Sequence, residues 1–227
     1  MTLVLTNDDG IDAPGIRALK AALPGQATAI VAPDRPLSGC SHQLNRGGAI
    51  LIEQRNNQEY AIGGTPADCT RVAISHLYPD ARWVLSGINA GGNLGADIHV
   101  SGTVAAVREA TLLRVPGIAL SHYIQDRRPI DWAVASRLAA KVLTKLMQQA
   151  PLPGRFWNVN LPHLHADDPD PEIVECPTCT QPLPTAFAIK ENQFHYVGQY
   201  NQRPRDKGAD VDVCFSGSIS LTEIRLW

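Results

Sequence analysis

Residues 1–15 read MTLVLTNDDGIDAPG, a short apolar and β-branched run that stops abruptly at Asn7, Asp8, Asp9 and Gly10. A run of this length bounded by a polar turn has the pattern of a buried strand. Two adjacent carboxylates at its end repel each other, so they require either bulk solvent or a bound cation. The next stretch, APGIRALKAALPG, has Pro14 suited to a first helical position and Pro24-Gly25 as a stop. Strand, acidic turn and helix form one unit of an alternating α/β pattern.

That alternation continues outward through the first two thirds of the chain. ATAIVAPD reads as a second strand, and GGAILIEQRNNQEYAIGG as a hairpin of two β-rich runs around RNNQ. TPADCTRVAISHLYPD starts as a helix should, with Thr65 as N-cap and Pro66 at the first helical position. ARWVLSGIN and GIALSH read as strands on either side of a helix in SGTVAAVREATLLRVPG. The longest amphipathic helix, IDWAVASRLAAKVLTKLMQQA, is closed by Pro151 and followed by the strand RFWNVNLP. Strands alternating with helices predict a Rossmann-like three-layer α/β sandwich with a mostly parallel sheet.

From about Leu161 the texture changes to Pro- and Asp-rich sequence with short β-like runs in FHYVGQY and SISLTEIRLW. The expected organisation is a catalytic core over residues 1–161, with 162–227 as Pro-rich loops and a β-hairpin or arm appended to the same domain. Strands with little helix to cover them need pairing, so this segment is expected to be exchanged or packed across a subunit interface.

The 227 residues are 44% apolar and 19% charged, the balance of an ordinary globular protein. A net charge of −2 gives no electrostatic reason to bind nucleic acid polymers or anionic membranes, and no apolar run approaches membrane-spanning length. The expected compartment is the cytoplasm. Five cysteines at irregular spacing do not form a disulfide framework. Cys176 and Cys179 have CxxC spacing with His163 and His165 upstream, but Pro177 suits a turn, and the turn is the preferred reading.

In open α/β sheets ligands bind outside the carboxyl ends of the strands. The first strand ends in Asn7-Asp8-Asp9-Gly10, the second in APDRPLSGCSHQ, and the ARWVLSGIN strand in Asn89. Most side chains in these three loops are hard oxygen donors or small, a set suited to Mg²⁺ or Mn²⁺. Taken alone, Asp8 and Asp9 fit a loop acid and a helix cap equally well, and Ser38 fits a turn. Ser101-Gly102-Thr103 falls at a helix start, where free backbone N–H groups favour phosphate, although Ser101 alone reads as an ordinary cap. Asn93 has an amide that could donate to the same anion, or it could be a turn residue. Two acids remain ionised together when a divalent cation lies between them and a phosphate.

LTNDDGIDAPGI, VAPDRPLSGCS, GTPADCTRVAI, LSGINAGGNLGADIHVSGTVAAVREA and NVNLP, in this order over positions 5 to 161, resemble the SurE family of survival-protein nucleotidases. The resemblance implies a Rossmann-like domain whose β-hairpin and C-terminal arm assemble a homodimer or homotetramer. It implies metal-dependent hydrolysis of nucleoside 5′- and 3′-monophosphates, in some members also of short polyphosphate, with one divalent cation, Mg²⁺ or Mn²⁺, per subunit. The implied metal ligands are Asp8, Asp9, Ser38 and Asn89, with Asp8 and Asp9 catalytic. The implied phosphate neighbours are Asn93, Ser101, Gly102 and Thr103. His42, Asn45 and Val100 depart from the residues more common in the family, on the rim of the site.

In-line attack by a metal-activated water is the preferred route, with an aspartyl-phosphate on Asp8 or Asp9 as the alternative. Two non-catalytic readings compete. A receiver-like phosphoacceptor would need an Asp at the end of a middle strand and a late strand-end Lys, where this chain has SGIN and GIALSH. A plain nucleotide-binding module would have little use for clustered hard ligands.

Overall fold

The computed structural model describes residues 2–165 and 167–227. The first strand, β1 (Leu3–Thr6), is buried along its whole length and lies between two parallel neighbours, β2 (Thr28–Pro33) and β5 (Trp83–Ala90). Leu5 sits level with Ile30 on one side and Leu85 on the other. The sheet continues beyond β5 through β6 (Gly117–His122) and β7 (Arg155–Leu161), both parallel. Beyond β2 it continues through β4 (Glu59–Ile62), which forms the expected hairpin with the exposed edge strand β3 (Ile52–Asn56).

Because side chains alternate along a strand, β1 serves two cores at once. Leu3 and Leu5 pack with Ile16 and Leu19 of α1 (Pro14–Ala21) and with Leu138 and Val142 of α4 (Trp132–Leu146). Val4 faces the other layer, with Cys69 of α2 (Pro66–Val72) and Ala110 of α3 (Gly102–Leu112). Each such buried aliphatic side chain contributes roughly 1.5–3 kcal/mol over its exposed state. The three-layer α/β sandwich is therefore the observed architecture.

The helix starts follow from the local sequence. Thr65 and Asp68 form a capping box, the Thr65 hydroxyl oxygen accepting from Asp68 N at 3.2 Å while the Asp68 carboxylate accepts from Thr65 N at 3.0 Å. Asp131 caps α4 by accepting from Ala133 N at 2.9 Å and Val134 N at 3.1 Å. This helix ends at Leu146, ahead of Pro151, which could not continue it.

The C-terminal third adds to this sheet. In SISLTEIRLW, β11 (Ile219–Arg225) runs antiparallel to β7 within the chain's own sheet, and β8 (Ile173–Glu175) lies parallel on its far side. Ile219 and Leu221 are buried in the same core as Val159, and that burial fixes the strand there. The segment also contains a short helix, α5 (Asp210–Phe215), seated by Val211 and Cys214. Only β9 (Phe187–Lys190) and β10 (Gln193–Tyr196) form a separate two-stranded hairpin. Cys176 and Cys179 are both buried but serve different neighbours: Cys176 Sγ lies 3.8 Å from Thr222 Oγ1, while Cys179 Sγ accepts from Asp206 N at 3.4 Å.

Candidate active site

Everything converges on the carboxyl end of β1. The turn that follows it folds back on itself, Asn7 Nδ2 donating to Gly10 O at 2.8 Å, with Gly10 in the left-handed region at φ 97°. Two backbone bonds stitch this turn to the loop after β2. Leu37 N donates to Asp8 O at 2.8 Å, and Ile11 N donates to Pro33 O at 2.8 Å. They bring Ser38, one residue beyond Leu37 and exposed, to the same edge.

Asp8 is 4% exposed and Asp9 is half-buried. Asp9 Oδ2 accepts from Ala90 N at 3.1 Å, which sets this carboxylate beside Asn89 at the end of β5. Asn89 commits its amide nitrogen to Gly91 O at 2.8 Å, leaving its oxygen as the donor for a cation. On the other side, Thr103 donates its hydroxyl proton to Asp8 Oδ1. Gly102 packs directly on the carboxylate: a Cβ at this position would lie 2.8 Å from Asp8 Cβ and 2.9 Å from both Asp8 Oδ2 and Cys40 Sγ. The start of α3 and the acid pair therefore occupy one place.

The residues expected to neighbour a phosphate lie at the start of α3 and in the loop that leads to it. Ser101 caps α3, its Oγ accepting from Val104 N at 3.1 Å, so only its proton remains free. The Thr103 hydroxyl donates to Asp8 Oδ1, which ties the start of α3 to the acid pair. The backbone N–H groups of the first turn have no intrahelical partner and carry the positive end of the helix dipole. Asn93 is buried, and its Nδ2 donates to Ser121 Oγ at 2.7 Å.

Burial pushes the Asp8 carboxyl up to about 6; the Thr103 hydrogen bond works against the shift and the charge of Asp9 adds to it. Burial likewise raises Asp9, opposed by the Ala90 N–H. Cys40 is pushed up to about 11 by burial and by Asp8, so it stays a neutral thiol. Among the described residues neither Asp8 nor Asp9 pairs with a lysine, arginine or histidine. Asn7 Oδ1, in the same turn, is buried without a hydrogen-bond partner. Two carboxylates without a counter-cation, an amide oxygen and a hydroxyl are hard donors with unspent capacity, and that set fits a small divalent cation.

Sequence reasoning missed the groups that support these. The loop bearing Ser38 is anchored by His42, whose Nε2 lies 2.7 Å from Glu109 Oε2, and Arg71 donates to Glu109 Oε1 at 2.5 Å. Burial opposes the Glu109 charge, yet His42 and Arg71 hold its carboxyl below the usual range. Asn158 and Asn160 of the NVNLP block reach Asn93. Their signal was two amides alternating on one face of a strand otherwise made of core residues.

A mostly parallel sheet with helices on both faces, and with an acid pair at the carboxyl end of β1 set against the start of α3, defines a doubly wound α/β protein. The family described as survival protein SurE matches residues 3–182, and the chain belongs to that family. It is 53% identical to a Synechocystis protein and 51% identical to a Nostoc protein, each over the whole of both chains, and both carry the name "Putative 5'-nucleotidase alr3139". The "5'-nucleotidase SurE 1" of Burkholderia lata is 42% identical, with 98% of this chain and 90% of that one covered. The crystal structure of the SurE protein from Aquifex aeolicus superposes with a TM-score of 0.87 at 28% identity, covering 100% of this chain and 94% of the other.

Proposed function

We propose that this chain is a metal-dependent phosphatase of the 5′-nucleotidase type. It hydrolyses nucleoside 5′- and 3′-monophosphates, and short polyphosphate, with one Mg²⁺ or Mn²⁺ per subunit. Relatives named as 5′-nucleotidases along essentially the full length of the chain support the hydrolase class. The observation that carries the reading is the contact between Gly102 and Asp8, which sets a carboxylate and a helix N-terminus against the same space.

Asp8, Asp9, Asn89 and Ser38 would hold the cation, which supplies charge screening for the ester and a lowered pKa for water. Thr103 orients Asp8, and the Ala90 N–H orients Asp9. The N–H groups of Gly102 and Thr103, with the free Ser101 proton, hold the non-bridging phosphate oxygens. Holding and charge stabilisation are the main contributions in phosphoryl transfer. Water attacks phosphorus in line, the P–O ester bond breaks, and the nucleoside hydroxyl leaves with a proton. Attack by a carboxylate, through the second oxygen of Asp8 or Asp9, is the alternative route. The test is phosphate release from 5′-AMP, 3′-AMP and tripolyphosphate with Mg²⁺, Mn²⁺ or EDTA. Release in either metal and none in EDTA is the expected result, and no release from any substrate overturns the reading.

We also propose a homodimer or homotetramer, with residues 162–227 appended to the same domain. In the β9–β10 hairpin, Ile189 pairs with Phe194 and Phe187 with Tyr196, so all four side chains share one face and all are exposed. An amphipathic hairpin of this kind needs a partner for its apolar side. Phe194→Asp is expected to lower the assembly state by at least one step in light scattering, and an intact protein that is monomeric at micromolar concentration would refute the assembly. No helix among the described residues is long and apolar enough to cross a membrane. Five free thiols fit the reducing cytoplasm, where we place the protein.

A further inference from the structure

The loop from Asn89 to Ser101 joins the cation side of the site to the phosphate side, yet its main chain is held from elsewhere. Gly92 O accepts from Tyr200 Oη at 3.4 Å. Asn160 clamps Asn93 at two points, Oδ1 accepting from Asn93 N at 2.7 Å and Nδ2 donating to Asn93 O at 3.1 Å, and Asn158 Nδ2 adds a bond of 2.8 Å to the same carbonyl. Leu94 O accepts from an Arg203 guanidinium nitrogen at 3.0 Å, and Gly95 N donates to Asp210 at 2.8 Å. The partners lie between residues 158 and 210, and three of them come from the Pro-rich C-terminal third.

The bonds meet at Asp97. Its carboxylate accepts from Tyr200 Oη at 2.5 Å, from Arg203 at 3.0 Å and from Leu94 N at 3.2 Å. Its carbonyl accepts from Val100 N and Ser101 N, each at 3.1 Å, one residue before Gly102 packs on Asp8. Arg203 is 6% exposed, and its guanidinium lies 4.4 Å over the Tyr200 ring. An arginine fork buried against one carboxylate and one carbonyl has a single geometry, so it transmits position rather than bulk. Burial and the neighbouring Asp97 raise the Tyr200 phenol, which keeps its proton for Asp97.

We infer that Tyr200 and Arg203 are positioning residues of the active site, acting through Asp97 to fix the register of residues 92–101 against Asp8. The inference rests on the reading of Asn89 and Ser101–Thr103 as parts of that site. A displacement of about 1 Å at a reacting centre costs on the order of a hundredfold in rate.

Three variants test it: Tyr200→Phe, which removes one hydroxyl, Arg203→Lys, which keeps the charge without the fork, and Arg203→Met. Phosphate release is assayed well below each variant's melting temperature, together with hydrogen–deuterium exchange of peptides covering 91–101. The expected kcat falls roughly tenfold in Tyr200→Phe and about a hundredfold in Arg203→Met, with Arg203→Lys between them. KM changes less than kcat, and exchange in 91–101 quickens while β1 and β5 stay protected. Variants that lose melting temperature but keep wild-type kcat and exchange overturn the inference. If Arg203→Met does not fold, the other two decide. If the wild-type protein releases no phosphate, the functional reading fails, and exchange alone judges whether Tyr200 and Arg203 hold the loop.

Discussion

Asp8→Asn and Asp9→Asn are each expected to lower the proposed metal-dependent phosphate release by at least about a thousandfold, the scale on which losing a charge aimed at the reacting centre is felt. Asparagine preserves shape, and at position 8 it can still accept from Thr103, so the loss is one of charge. Stability moves the other way. In metal-free protein the Asp8 carboxyl is raised from 3.8 to about 6, so the folded state holds this proton more tightly than the unfolded chain. The penalty is absent below pH 3.8, builds between 3.8 and 6, and is constant above, reaching roughly 3 kcal/mol. Thermal melts in EDTA therefore show Asp8→Asn at or above wild type at pH 7.5, with the advantage gone by pH 3.5. Unchanged activity in both variants would remove the acid pair from the mechanism.

Gly102→Ala is the second large effect, and it separates chemistry from folding. The added Cβ would meet Asp8 at 2.8 Å, and Asp8 is anchored through its own carbonyl to Leu37 N at 2.8 Å, so the carboxylate must swing away. Gly102 lies outside the left-handed region, so alanine meets no backbone strain there. The expected result is a loss of about a hundredfold in kcat with a melting temperature close to wild type. Adding Cys40→Ala relieves the contact with sulfur and leaves the one with Asp8, so the double variant stays slow. Activity within threefold of wild type would mean that the helix start is only a cap.

How much of this was legible depends on which force placed each residue. Leu3, Val4 and Leu5 announce a buried strand by composition, and Asn7 to Gly10 announce its end, so β1 and the acid pair could be read directly. The capping residues Thr65 and Ser101 are local chemistry and were equally legible in position. Thr103 was legible as a helix-start hydroxyl, but its partner is Asp8, 95 residues away, and no local pattern carries that. Half-buried Tyr200 and the buried Arg203 and Asp210 are placed by long-range hydrogen bonds, not by apolar periodicity, in a stretch whose prolines and aspartates suggest loops. The alternation of Ile219 and Leu221 reads correctly as a strand, whereas the choice of its own sheet over a neighbour's is a tertiary decision.

The arrangement around residues 92–97 has a consequence for how the protein is made. Gly95 leaves the ribosome 115 residues ahead of Asp210, its hydrogen-bond partner. At roughly 5–20 residues per second that interval is on the order of ten seconds. During that time β1, the acid pair and the start of α3 already exist as nascent chain, without the side chains that hold the loop between them. A half-made chain would then be a poor hydrolase, and activity would switch on late, close to the moment when β11 enters the sheet. If the chain has the function proposed above, that delay is a timer written into the order of its residues.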